Sequence, residues 1–83
     1  MTSHSKIQVS DFILTSEFIA VCDLLKIMGA ADSGGRGKSM VAEGMVKVDG
    51  VIEHRKTAKI RAGQMVHVEN MQINVIGPVL SQE

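Results

Sequence analysis

Apolar and polar residues alternate over Ile7-Gln8-Val9-Ser10, and Phe12-Ile13-Leu14 follows at once. This predicts a strand, or a pair of short strands, ahead of Thr15-Ser16. The period then changes. Phe18, Val21, Cys22, Leu25 and Met28 recur every three or four residues, which predicts a helix over 18–28, capped by Thr15 or Ser16 and ended by Gly29. Its apolar face is read as core, with Cys22 a small buried hydrophobe. Ser33-Gly34-Gly35 opens a second, shorter helix that runs to about Glu43, with Met40 and Val41 inward and Gly44 as its stop. Gly35 and Gly37 each weaken that helix by up to ~1 kcal/mol relative to Ala, so packing or function must compensate.

Strand signals dominate the remainder. Met45-Val46-Lys47-Val48 and Val51-Ile52-Glu53 flank Asp49-Gly50, a strong two-residue hairpin signal. After the basic stretch from His54 to Lys59 come Ile60, a turn at Gly63 and a strand from Met65 to Val68. Glu69-Asn70 then turns into the clean alternation Met71-Gln72-Ile73-Asn74-Val75, and Gly77-Pro78 closes the fold. Strand, two helices, then several strands is an α+β order, with the two helices packed on one side of a small antiparallel sheet.

With 83 residues the chain makes one domain, whose core spans about residues 6–77 between short tails. Apolar residues at 45% and charged ones at 22% are ordinary for a globular chain, and six Met read as gap-fillers in its core. A single cysteine allows no internal disulfide and, beside scattered His4, His54 and His67, offers no zinc-ligand spacing. No metal or other cofactor is expected. No apolar run approaches the ~20 residues of a membrane span, and the first residues do not read as a secretory signal, so the expectation is a cytoplasmic protein that does not engage a membrane. Trp and Tyr are absent, and Phe12 and Phe18 are expected to be buried, which leaves little aromatic surface for stacking a base.

Nine basic and nine acidic residues cancel over the whole chain, but not along it. Residues 1–35 carry a net charge of −2 and residues 36–61 one of +4. A neutral protein can thus present a basic face, the electrostatic footprint of phosphate binding. Gly37-Lys38-Ser39 matches the tail of the G-x-x-x-x-G-K-[ST] nucleotide loop, but the first Gly of that motif is replaced by Asp32 and the segment reads as helix. No triad or paired carboxylates can be assembled from the remaining residues, and the chain is not expected to be an enzyme. The cap at Ser33, the open amides of Gly34 and Gly35, and the nearby Arg36 and Lys38 make the start of the second helix attractive to a phosphate.

Several of these strings fall in a known order. Asp23-Leu24-Leu25-Lys26, Ser33-Gly34-Gly35, Gly37-Lys38, the run Ala42 to Gly50, Arg55-Lys56, and Lys59-Ile60 to Ala62-Gly63-Gln64 resemble the S-four RNA-binding domain, most closely its small stand-alone YbcJ-like subfamily. The resemblance spans residues 19–68. It implies two packed helices of the αL type followed by a β-hairpin, with structured RNA bound across the second helix and the sheet. By that resemblance Lys38 matches a basic position of the second helix, Lys47 a strand position that is often basic, Arg55 and Lys56 the basic pair after the hairpin, and Lys59 the base beyond them. Gly34 departs from the pattern, since many members carry Arg there, and Arg36 stands where the subfamily has an uncharged residue.

The expected function is recognition of structured RNA, of the ribosomal or transfer type, by a monomer. The interface comprises Arg36, Lys38, Lys47, Arg55, Lys56, Lys59 and Arg61, with a phosphate site at Ser33, Gly34 and Gly35. An aromatic-poor chain with a basic face suits phosphates and the shape of folded RNA better than single strands. The alternative is a protein-interaction or scaffold module whose cations form a soluble rim.

Overall fold

In the computed structural model, which describes residues 7–77, the chain order is β1 (Gln8–Ile13), β2 (Ile19–Ala20), α1 (Val21–Ile27), α2 (Gly34–Ala42), β3 (Val46–Val48), β4 (Val51–Ile52), β5 (Lys59–Ile60), β6 (Met65–Val68) and β7 (Met71–Ile76). The expectations at His4, Pro78 and the two tails lie outside the described residues. Among those described, no helix is long and apolar enough to cross a membrane, and no cluster of His, Cys, Asp or Glu could hold a metal ion.

α1 starts later than its period predicts, because tertiary pairing claims the residues before it. Ile19 and Ala20 pair antiparallel with Ile60 and Lys59, and the Val21 N–H donates to the Ala58 carbonyl at 2.9 Å. The N-cap is therefore Ala20, without a side-chain bond, while the Ser16 hydroxyl donates instead to the Phe18 carbonyl. Both helices end as their glycines require. Gly29 (φ +84°) and Gly44 (φ +79°) adopt the left-handed conformation that costs a Cβ-free residue little. In each case the next two amides turn back onto the last helical turn: Gly29 to Lys26 and Ala30 to Leu25, then Gly44 to Val41 and Met45 to Met40. These paired bonds satisfy carbonyls that would otherwise be orphaned at the helix ends.

The main sheet has the order β1-β7-β6-β3-β4. β3, β4, β6 and β7 are antiparallel as expected, with β3 and β4 joined through Asp49 (φ +52°) and Gly50 (φ +85°). β1 makes the sheet mixed, since it runs parallel to β7 from Gln8 opposite Met71 to Ile13 opposite Ile76. Two-residue turns force the antiparallel pairing of β3 with β4 and of β6 with β7, whereas the rest of the fold intervenes between β1 and β7.

One face of this sheet is covered by the helices. Val46, Val66, Val68, Ile73 and Val75 point inward to meet Val21, Leu24 and Leu25 of α1 and Met40 and Val41 of α2, all at most 1% exposed. Phe12 of β1 and Leu14 just beyond it point inward, so Ile7 and Val9 of the opening alternation, and Ile13, face solvent. Strand side chains alternate strictly between faces, and burying Leu14 sets the phase for the whole segment. On the outer face a chain of side-chain bonds crosses three strands. His67 meets Gln72 at 3.1 Å, Gln72 donates to Asn74 at 3.2 Å, and Asn74 donates to Asp11 at 3.1 Å.

Candidate nucleic-acid interface

The start of α2 is built as the sequence predicts. Ser33 is the N-cap, and its hydroxyl accepts from the Arg36 amide at 3.0 Å. Space around the first turn is open. A Cβ on Gly34 would meet nothing within 4 Å, and one on Gly35 only the Ser33 hydroxyl at 3.9 Å. The Ser33 oxygen accepts that bond through a lone pair and keeps its proton, so this terminus can offer an anion the Ser33 hydroxyl, the amides of Gly34 and Gly35 and the helix dipole.

Arg36 and Lys38 are both exposed, yet they do not share a side of the helix. Gly37, Met40 and Val41 form the buried face. Residues two apart on an α-helix are separated by about 200°, so Arg36 and Lys38 project to opposite flanks of that face. Lys47 stands elsewhere again, on the outer face of the main sheet, between Ile52 of β4 and His67 of β6.

The cations after the hairpin form a continuous group. The Ala58 N–H donates to the Arg55 carbonyl at 3.1 Å, closing a turn that carries Lys56 at its exposed tip. Arg55 and Lys59 line one shallow cleft with Thr57 and Ala58. Arg55 is forked onto Glu53, with Nε at 2.9 Å and Nη2 at 3.2 Å from the carboxylate, which also accepts the Arg55 amide at 3.0 Å. These side-chain and backbone hydrogen bonds hold the Glu53 carboxyl below its usual range. Part of the Arg55 charge is thereby neutralised. It is the only ion pair among the described residues, so the other six predicted cations carry no carboxylate partner there.

Lys59 and Arg61 meet at a residue the sequence reading placed in the core. Phe18 is 38% exposed, with the Lys59 ammonium 4.8 Å and the Arg61 guanidinium 5.6 Å from its ring centroid. The expectation of two buried phenylalanines holds for neither fully, since Phe12 is half-buried. Phe18 fits the helical period of α1 so well that only the pairing of β2 with β5 moves it. The available signal was Lys59-Ile60-Arg61, an alternation that asks for a partner strand with an outward residue to match.

Comparison with known proteins bears on the whole arrangement. The sequence profile of the S4 domain matches residues 12–76. The Escherichia coli protein named "Putative RNA-binding protein YbcJ" is 47% identical over 58 residues, covering 70% of this chain and 83% of that protein, and YbcJ of Shigella flexneri matches to the same extent. The solution structure of Escherichia coli YbcJ, described as revealing an αL motif involved in RNA-binding, superimposes with a TM-score of 0.61 at 37% identity. It covers 92% of this chain and 95% of that one. With the profile extending from β1 through both helices and the hairpin to the end of β7, this chain belongs to the S4 domain family.

Proposed function

We propose that this protein is a non-enzymatic module that binds structured RNA, of the ribosomal or transfer type, through the exposed face of α2 and the cation group that follows the β3–β4 hairpin. The observation that carries the reading is the state of the cations. Arg36, Lys38, Lys47, Lys56, Lys59 and Arg61 have no carboxylate partner among the described residues, although acidic residues are as numerous as basic ones in the chain. Cations that neutralise phosphates displace the counterions condensed on the nucleic acid, which supplies a large share of its affinity for proteins. The amides of Gly34 and Gly35 add a second class of phosphate ligand, with Ser33 holding the helix start in shape. Membership of the S4 domain family and the RNA-binding descriptions of YbcJ support the same reading.

A protein-interaction module is favoured by a different observation. Val9 and Ile13 of β1 and Val51 and Ile52 of β4 leave apolar side chains exposed at both edges of the main sheet. Titration of a labelled stem-loop and of an unstructured oligomer of equal length, over a range of salt, separates the two. RNA recognition by shape requires tighter binding of the stem-loop and a fall in affinity with salt. Absence of salt-dependent binding to either RNA would leave the protein-interaction reading in place. Crosslinking in cells then identifies the RNA.

A further inference from the structure

Phe18 and the two cations above it have properties that a solvated rim does not need. Ile60 is 1% exposed and pairs with Ile19, so alternation along these strands puts Lys59 and Arg61 on the opposite, outer side, where Phe18 also lies. Both cations sit within the ~6 Å at which a ring face attracts a positive charge. Among the described residues neither reaches a carboxylate: Arg61 donates to the Glu17 backbone carbonyl at 3.5 Å, and Lys59 has no ion-pair partner. The ring thus orders two long side chains without cancelling their charge.

We propose that Phe18, Lys59 and Arg61 form a site for an unpaired nucleotide, whose base displaces the cations from the ring and stacks on it while the two cations turn to the phosphates on either side. The inference rests on the RNA-binding reading and narrows it. Bases inside a continuous duplex are stacked on one another and cannot offer a face to the ring, so the ligand is a nucleotide in a bulge, a loop or a frayed end. Aromatic stacking is tolerant of base identity, and the site accordingly selects unpaired structure rather than sequence. The cluster adjoins the turn that carries Arg55 and Lys56, since Lys59 lines one cleft with Arg55.

The test uses two hairpins with the same stem and tetraloop, one carrying a single bulged adenosine. The wild-type protein should bind the bulged hairpin about tenfold more tightly, within the range that stacking of one base supplies. Phe18→Leu, which keeps the apolar volume and removes the aromatic face, should abolish that preference by weakening the bulged hairpin about tenfold more than the perfect stem, and Phe18→Trp should retain it. The fluorescence of a 2-aminopurine at the bulge should change on binding the wild type or Phe18→Trp and stay unchanged with Phe18→Leu. Equal binding of both hairpins by the wild type, or equal weakening of both by Phe18→Leu, would overturn the stacking site while leaving RNA binding intact. The second result would mean that the ring only props the two cations. Failure to bind either hairpin would remove the RNA reading and this site with it. Thermal melts of the variants, at a residue already more than one-third exposed, check that the fold persists.

Discussion

The backbone carbonyl oxygen of Cys22 stands 2.7 Å from the position a Cβ on Gly37 would occupy, with the Cys22 Cα at 3.3 Å. This close approach sets how tightly α1 and α2 pack, and it explains why a residue that weakens a helix sits in the middle of α2. Gly37→Ala should separate the helices and destabilise the protein by about 1–3 kcal/mol, as overpacking against rigid backbone does. Gly35, two residues earlier, faces open space. Gly35→Ala should stabilise by ~0.4–1 kcal/mol through the unfolded chain. Urea unfolding of the two variants tests the opposite signs. RNA titration of Gly35→Ala reports on the helix start, where an added methyl should lower affinity even as stability rises.

Glu53 and Arg55 form a pH-dependent pair. Because Arg55 donates to it, the Glu53 carboxyl titrates below its usual range, and the pair stabilises the fold above the unfolded carboxylate pKa of about 4.3. That contribution is lost as the pH falls through the lower folded value. The effect is small, since the Arg55 side chain is 78% exposed. Melting temperatures between pH 3 and 6 should rise less steeply with pH in Glu53→Gln than in the wild type. Parallel curves would mean that the pair contributes nothing.

The same pair bears on RNA affinity. Replacing Arg55 and Lys56 together by Ala should weaken binding and reduce the slope of log K against log salt by ~0.7–0.9 for each phosphate that is no longer neutralised. Glu53→Gln releases the Arg55 charge and should act in the opposite direction. An unaltered slope in a folded Arg55→Ala/Lys56→Ala protein would place both residues outside the interface.

Asp49 joins the hairpin to β6. Its carboxylate accepts the Met65 N–H at 3.0 Å and the Gln64 side-chain amide at 3.3 Å. Asp49→Ala should cost about 0.5–1.5 kcal/mol, the net value of such a bond where water can replace it. Asn at this position retains an acceptor and tolerates the left-handed backbone, so Asp49→Asn should lose less. Denaturant midpoints of the two variants provide the comparison.

Gly37, Lys38 and Ser39 lie inside α2, with the amides of Gly37 and its successors committed to helical bonds. A nucleotide loop needs those amides free to cradle phosphates. Calorimetry should therefore detect no Mg²⁺-dependent binding of nucleoside triphosphate at micromolar concentration. Such binding would reopen a catalytic role.

Features encoded within a few residues of one another were legible in the chain itself. The Ser33 cap, the stops at Gly29 and Gly44, the Asp49-Gly50 turn and the alternation of β6 and β7 depend on local backbone chemistry, and each stands where its residues predict. The ordered motifs from Asp23 to Gln64 likewise pointed to the family. Other features depended on partners far along the chain. The bond from Val21 to Ala58 and the pairing of Ile19 with Ile60 join segments some 40 residues apart. They withdraw Phe18, Ile19 and Ala20 from a helical period that the first of them fits, and they turn Phe18 outward beneath Lys59 and Arg61. The parallel seat of β1 against β7 and the approach of Gly37 to Cys22 are decided in the same way, by non-local hydrogen bonds and backbone packing. No period or turn signal marks such pairings, because their energy is realised only when both segments are already in place.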